Sequence, residues 1–348
     1  MVLRCPHVLR YGSDFSGMDM ALFALKHLGR PVDHVFASDN HVKCQQFIAA
    51  VHGAPRAFYK DVATRDTSTM TSVDLYVWGA PCQSFSPNGL RGGANDKRGR
   101  LARYALRYIR EHRPRCTVME NVAGLAREFM PALRIIVRSI RRSGYQVHAR
   151  LLNTKCHGVP QRRLRVYLVG IRDDSVRHPF SWPTAVKFKR TAKQLLNRGT
   201  DDKRLAIPPR ERRRARDLVK RTYRTCMANK VDPRREVVFT DIGSSKRFLT
   251  YGVGVFPCIT HGRAAELGWW ASVVGRAVTQ IELFRFQGLD DDDIDLTKLE
   301  IAKPKVSARD VNRMIGNTMS LNVLERVLAR SLWSAGLIAQ RPVDRWAS

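Results

Sequence analysis

A chain of 348 residues with 44% hydrophobic content is long enough for one large domain or two, each with a buried core. It holds no apolar run of roughly 18 residues or more, which excludes a membrane span read from hydropathy, and residues 1–7 lack the apolar centre of a secretory signal. A formal net charge of +30 points to a polyanionic partner, because neutralised phosphates release counterions, although a generally basic solvated surface has the same composition.

Residues 7–11 read as a strand and 18–28 as an apolar helix stopped by Gly29 and Pro31. Residues 35–37 form a second strand, followed by a helix over 44–51. Residues 75–78, 117–119 and 166–169 are further strands, 101–112 and 132–142 are helices between them, and 145–152 adds a strand. Such alternation predicts an α/β fold, a mostly parallel sheet wrapped by helices. From 187 to 235 Lys and Arg dominate, apolar periodicity is poor and Pro208-Pro209 breaks any helix. Two readings stay open there: a solvated, partly disordered basic loop, or a nucleic-acid-contacting module inserted in the fold. Residues 237–242 and 256–260 restore strand character. The acidic run 290–293 reads as a solvated loop, since no His or Cys beside it supports a metal. Residues 321–332 form a helix packing back on the sheet. The seven cysteines contain no Cys-x-x-Cys pair, which argues against a disulfide scaffold or zinc ribbon and for a reducing compartment.

Three strand ends carry reactive side chains. Gly79-Ala80-Pro81-Cys82-Gln83-Ser84-Phe85-Ser86 follows the apolar run 75–78, placing a thiol in a tight turn at a strand's carboxyl edge, where open α/β sheets bind their ligands. Alone, such a cysteine is as readily a small buried hydrophobe. Met119-Glu120-Asn121-Val122 ends the next run, and Gln161-Arg162-Arg163-Leu164-Arg165 leads into another. Taken singly, Glu120 reads as a helix cap and the arginines as a solvated strand edge. Farther on stand Arg276-Ala277-Val278-Thr279-Gln280-Ile281-Glu282, Arg285-Phe286-Gln287-Gly288 and Gly316-Asn317-Thr318-Met319.

In this order the six segments resemble those of the DNA cytosine-5 methyltransferases, covering nearly the whole chain apart from about 184–250. The resemblance implies an α/β, Rossmann-like S-adenosylmethionine-dependent methyltransferase sheet with a smaller inserted target-recognition domain. Residues 1–183 would be the catalytic, cofactor-binding domain, 184–288 the target-recognition region, and 289–348 a segment returning to the catalytic domain. It implies double-stranded DNA as the partner, no metal, no membrane, and a monomer. Cys82 would add as a thiolate to C6 of cytosine, making C5 enamine-like, in a turn fixed by Pro81. Glu120 would hold the N3 and N4 edge, protonated as a buried carboxyl can be near neutral pH. Arg163 would fix the O2 side of the ring, with Arg165 supporting the site or the backbone. The base must leave the duplex to react, and Gln83, Ser84 and Ser86 would contact the flipped strand or fill its vacancy. Arg212, Arg213 and Arg214 of the basic insert would contact DNA.

Ser13-Asp14-Phe15-Ser16-Gly17-Met18-Asp19-Met20 joins the first strand to the first helix and is similar to the family's Asp-Leu-Phe-Ala-Gly-x-Gly-Gly cofactor loop. Aligned on Phe15 and Gly17, Ser13 stands for the family's Asp, while Asp19 and Met20 replace two glycines. Asp14 is the candidate to take over the displaced acidic role. The resemblance makes Phe15, Ser16 and Gly17 contacts of S-adenosylmethionine, with Phe15 against the adenine. Asp39 would bond the ribose hydroxyls, Asp61 and Val62 the adenine edge, and Asn317 with Met319 would close the methionine end. Pro81 and Leu101 complete the implied contacts. For Asp39 and Asp61 the alternative is loop solvation or helix capping.

Two other functions compete. One branch of the family methylates transfer RNA, and charge does not discriminate the two polymers. That branch carries Cys-Phe-Thr where this chain has Val238-Phe239-Thr240, which favours DNA. A non-catalytic nucleic-acid-binding accessory protein would explain the altered cofactor loop but not retention of Cys82, Glu120, Arg163 and Asn317. Since the first motif lies close to residue 1, the chain is expected to be a compact catalytic unit, placed in the nucleus of a eukaryote or otherwise in the cytoplasm, and not secreted.

Overall fold

The computed structural model describes residues 8–81, 101–197, 208, 212–245, 247–301 and 305–347. Its first half runs β1 (Leu9–Asp14), α1 (Met20–His27), β2 (Val32–Ser38), α2 (Val42–Val51), β3 (Ala57–Tyr59), β4 (Leu75–Trp78), α3 (Ala102–His112), β5 (Cys116–Val122), α4 (Ala123–Arg127), α5 (Met130–Arg142), β6 (Tyr145–Asn153) and β7 (Leu164–Arg172). The strands form one sheet in the order β3-β2-β1-β4-β5-β7-β6. β1 to β5 pair in parallel, and β7 runs antiparallel to both of its neighbours. Strands covered on both faces read as continuous apolar runs, and β4 buries all four of its residues. The pleat divides them: Leu75 and Val77 enter the core beneath α1, while Tyr76 and Trp78 enter the core beneath α3 and α5. Gly12 of β1 is required by packing, because a Cβ there would stand 2.4 Å from the Phe36 ring.

The second half runs α6 (Arg213–Ala228), β8 (Val238–Asp241), β9 (Tyr251–Val253), α7 (His261–Ala265), β10 (Trp269–Ala271), β11 (Arg276–Ala277), α8 (Gln280–Phe286), α9 (Thr297–Ile301), α10 (Ala308–Asn317) and α11 (Leu321–Ser334). β11-β10-β8-β9 form a small antiparallel sheet. Phe239, Trp269 and Ala271 face the main core, and Val219 and Tyr223 of α6 cover Trp270 on the other side. α11 is buried almost all round although it is not apolar on every face; of its buried charges, Glu325 pairs with Arg345 and Arg326 with Asp344.

Three expectations are corrected. The basic stretch 187–235 contains a regular helix: Ala215, Leu218, Val219, Thr222, Tyr223 and Cys226 recur at helical spacing and are buried, while arginines occupy the other face. Residues 256–260 are not a strand; Phe256 makes a single parallel bridge with Gln161, and the segment is otherwise irregular. The acidic run 290–293 is not merely solvated: Asp290 pairs with Arg190 and Arg345, Asp291 with Arg285, and Asp293 with His27.

Candidate active site

Over the carboxyl ends of β1, β2 and β4 lies a cleft of about 370 Å³, within the range that small ligands occupy. Its floor is the β1–α1 turn, where Phe15 (φ 56°), Gly17 (φ 59°) and Asp19 (φ 50°) all adopt left-handed backbone. Gly17 does so at no steric cost, whereas Phe15 and Asp19 must be held there. Ser16 supplies one tie: its N–H donates to Ser38 O at 3.0 Å, and its Oγ accepts from Ser38 N–H at 3.0 Å. Asp19 supplies the other, accepting from the Tyr11 hydroxyl at 2.5 Å and from Ser13 Oγ at 2.8 Å. Burial and then the neighbouring Asp19 hold the Tyr11 hydroxyl protonated.

Asp19 thus sets an acid beside Ser13, and both Asp14 and Asp19 line the cleft. Asp14 is 1% exposed, bonds Arg65 through both carboxylate oxygens and accepts from the Tyr76 hydroxyl, so its lone pairs are committed beneath the cleft. Arg65 lies against the rings of Phe36, Tyr59 and Tyr108.

Phe15, Ser16, Gly17, Asp39, Asp61, Val62, Pro81, Leu101, Asn317 and Met319 all line this cleft, and Glu120 does as well. Asp39 accepts from Gly17 N–H and from His41 N–H, each at 2.9 Å, which ties the end of β2 to the β1–α1 turn. Asp61 is exposed and accepts from Ala63 N–H at 2.8 Å, the short-range bond of a loop acid. Met319 reaches across the cleft, and a Cβ on Gly79 would meet its methyl carbon at 3.4 Å. Two observations show room for a ligand: the buried Ser38 Oγ has no partner among the described residues, and a Cβ on Gly17 would meet nothing within 4 Å.

Glu120 is placed by the sheet. In the antiparallel β5–β7 pair Tyr167 stands opposite Glu120, and Arg165 stands opposite Val122. Arg165 is thus the diagonal neighbour of Glu120 on one face, within reach of a long side chain, and its Nε lies 3.3 Å from Glu120 Oε1. That oxygen makes no hydrogen bond among the described residues although Glu120 is only 8% exposed. Burial raises the Glu120 pKa, against the opposing pull of Arg165 and then Arg163. Asn121, next in the strand, donates to Ala80 O at 3.0 Å and so fixes the turn that leads to Cys82.

Arg163 does not face the cleft as expected. It is 2% exposed, and its guanidinium donates to Ile259 O at 2.7 Å, Gly316 O at 3.3 Å and Thr318 O at 2.5 Å. It clamps the junction at which α10 meets α7, where a Cβ on Gly316 would stand 2.4 Å from His261 N. The arginine beside Glu120 is Arg165. Cys258 completes the group, its Sγ 3.7 Å from Arg165 Nη2 and 3.9 Å from Arg163 Nη1. Neither Cys258, Asn121 nor Arg65 was singled out from sequence, because their partners lie 41 to 95 residues away and no local pattern announces them.

Cys82, Gln83, Ser84 and Ser86 lie outside the described residues. Arg212 and Arg213 are exposed at the start of α6. Arg214 donates to Gly243 O and Ser244 O, tying α6 to the turn after β8. None of the three lines the cleft. Among the described residues no helix is long and apolar enough to cross a membrane, and no group of three or more His, Cys, Asp or Glu is placed to hold a metal ion.

A seven-stranded sheet with β7 reversed, a cleft over its carboxyl edge and a small second sheet is the Rossmann-like fold of S-adenosylmethionine-dependent methyltransferases. The family model of C-5 cytosine-specific DNA methylases matches residues 11–333, and the chain belongs to that family. It is 36% identical over 172 residues to the orphan methyltransferase M.Rho11sI of Bacillus phage rho11s, a match covering 49% of this chain and 34% of that protein. The chain thus spans about a third of that relative's length. With the type II methyltransferase M.HhaI of Haemophilus parahaemolyticus it shares 25% identity over 272 residues, 77% of this chain and 78% of that one. Its fold is similar to that of Dnmt2 methyltransferase from S. pombe, with a TM-score of 0.62 at 17% identity, covering 93% of this chain and 98% of that chain. Methyltransferases of this family use S-adenosylmethionine.

Proposed function

We propose that this chain transfers a methyl group from S-adenosylmethionine to C5 of cytosine in double-stranded DNA. The observation that carries the reading is Glu120: a buried carboxyl with an oxygen unbonded among the described residues, beside Arg165, on the wall of the cleft that contains every residue expected to touch the cofactor. Phe15, Ser16, Gly17, Asp39, Asp61, Val62, Pro81, Leu101, Asn317 and Met319 would hold the cofactor, which when bound supplies an electrophilic methyl group. Cys82 acts as the nucleophile, its thiolate adding to C6 of a cytosine taken out of the duplex. Glu120, whose pKa burial raises, donates to N3 in its protonated form and stabilises the charge that builds in the ring as the bond to C6 forms. Arg165 takes the ring-orienting role first assigned to Arg163, and Arg163 holds the backbone around it. Loss of the C5 proton then releases Cys82.

Residues 1–183 with 289–348 serve as the catalytic unit and 184–288 as the target-recognition region. Gln83, Ser84, Ser86, Arg212 and Arg213 contact DNA; Arg214, bonded to the turn after β8, supports that surface. The test is transfer of labelled methyl groups from S-adenosylmethionine to duplex DNA or transfer RNA by wild type and Cys82→Ala. Label entering DNA, and only with Cys82 present, is the expected result. Label entering transfer RNA alone moves the chain to the RNA branch, and tight DNA binding without transfer identifies an accessory protein.

A further inference from the structure

The loop before α7 is bound tightly on both sides of Cys258. Phe256 N–H donates to Pro160 O at 2.7 Å, Arg162 N–H donates to Phe256 O at 2.8 Å, and Arg163 Nη1 donates to Ile259 O at 2.7 Å. These ties deliver the half-buried sulfur to two guanidinium groups that no pattern of cysteine spacing would suggest. Three contacts of Arg165 bear on its orientation. Nη1 donates to Leu164 O at 2.8 Å, Nη2 lies 3.7 Å from Cys258 Sγ, and Nε is left 3.3 Å from the unbonded Glu120 Oε1. We propose that Cys258 is a positioning residue of the methyl-transfer site, its sulfur anchoring the Arg165 guanidinium beside Glu120 and countering the charge of the two arginines. The proposal rests on the methyltransferase reading above.

Two further facts agree with it. Burial pushes the Cys258 thiol upward, but Arg165 and then Arg163 outweigh burial and hold it below its ordinary value. When protonated, the thiol has an acceptor in Ile259 O at 3.7 Å, so the sulfur is satisfied in either state. Among the described residues, the charged and titratable groups facing the cluster are Arg163 and Arg165 on the sulfur side, with Tyr167 beyond them against Glu120. The same arginines draw the Glu120 proton away. Negative charge on the sulfur would offset that pull and favour the form of Glu120 that donates to the base. A merely structural cysteine would leave the protonation of Glu120 unchanged.

The experiment has two arms. In the first, methyl transfer to duplex DNA at saturating S-adenosylmethionine is followed from pH 6 to 10 for wild type, Cys258→Ser and Cys258→Ala. The expected result for Cys258→Ala is a roughly tenfold fall in kcat with little change in cofactor KM. Its alkaline limb should move to lower pH by about half a unit or more, with Cys258→Ser restoring part of the rate. An unmoved limb overturns the proposal. In the second arm, alkylation of Cys258 by iodoacetamide is followed against pH by peptide mass spectrometry in wild type and Arg165→Gln. Reaction that sets in below the ordinary thiol range, and moves upward in Arg165→Gln, supports the charge pairing; identical profiles overturn it. If wild type transfers no methyl group, the functional reading fails, and the alkylation profiles alone still decide whether the sulfur counters the arginines.

Discussion

Two buried carboxyl groups on one sheet edge, Asp14 and Glu120, have opposite surroundings. Asp14 is bonded by Arg65 through both oxygens and by Tyr76. Glu120, two strands along, has an oxygen with no hydrogen bond among the described residues and an arginine at ion-pair distance. A buried acid that is fully satisfied stabilises shape, and one left unsatisfied holds capacity for a ligand. On the proposed reading, the side of the cleft at β1 and β2 is a rigid floor and the β5–β7 side is the reacting wall.

The largest effect expected from breaking this contrast is on chemistry. Glu120→Ala should lower methyl transfer on the order of 10²- to 10⁴-fold without lowering the melting temperature, because it removes a carboxyl whose Oε1 makes no hydrogen bond among the described residues. Glu120→Gln sharpens the point, since an amide donates to N3 at every pH. Wild-type rate should fall as pH rises through the raised Glu120 value, and the Gln variant should show no such limb. A limb shared by both would assign the titration elsewhere.

The floor should fail in the opposite manner. Asp14→Ala leaves Arg65 buried without its partner and should cost about 3–5 kcal/mol of stability, read from urea denaturation. Replacing both members, Asp14→Leu with Arg65→Met, should recover most of that loss, because an apolar pair needs no desolvation. If Asp14→Ala is stable but inactive, Asp14 belongs to the chemistry and the contrast collapses.

Much of this division was legible in the chain and part was not, for physical reasons. Strands β4, β5 and β7 show as short apolar runs because both of their faces are covered, and Glu120 and Arg165 could be placed at their ends. What sequence did not reveal was pairing at a distance. Asp14 looked available because its partner Arg65 stands 51 residues away. On sequence alone the ring falls to Arg163 and the support to Arg165, yet Arg163 precedes β7 and turns into the α7–α10 junction. Helix α6 was obscured by its own arginines: counting charge hid six buried positions at helical spacing. The apolar composition of residues 256–260 reads as a strand, but Phe256 makes only a bridge with Gln161 and the rest is irregular.

The next expected effect probes that junction. Gly316→Ala would put a methyl group against the His261 backbone, which has no flexible end to yield. A loss of about 1–3 kcal/mol is expected. Since Arg163 donates to Gly316 O and shares a sulfur with Arg165, kcat should fall with it while cofactor affinity stays near wild type. Equal loss of both would mean that α10 moves as a whole and that the two walls are not separable.

A pH profile of activity isolates Glu120 only if the fold itself does not titrate in the same range, and one group outside the cleft does. His27 lies between Asp293 at 2.6 Å and Glu325 at 3.2 Å. Burial lowers its pKa, but these two acids outweigh burial and raise it from 6.5 to about 9. A histidine whose folded value is raised binds its proton more tightly in the native state. Its contribution is fully present below pH 6.5 and is lost as pH rises through about 9. His27→Gln should flatten stability over that window, a change on the order of 1–2 kcal/mol, measured by urea denaturation at intervals of pH. Glu120 adds a slope of the same sign, because its raised value favours the native state at low pH and the benefit is lost as pH rises. With His27→Gln as background, any alkaline loss of rate that persists, and that Glu120→Gln then removes, belongs to the reacting wall. If His27→Gln alone abolishes the limb, the rate was following unfolding, and Glu120 is no more a reacting group than Asp14.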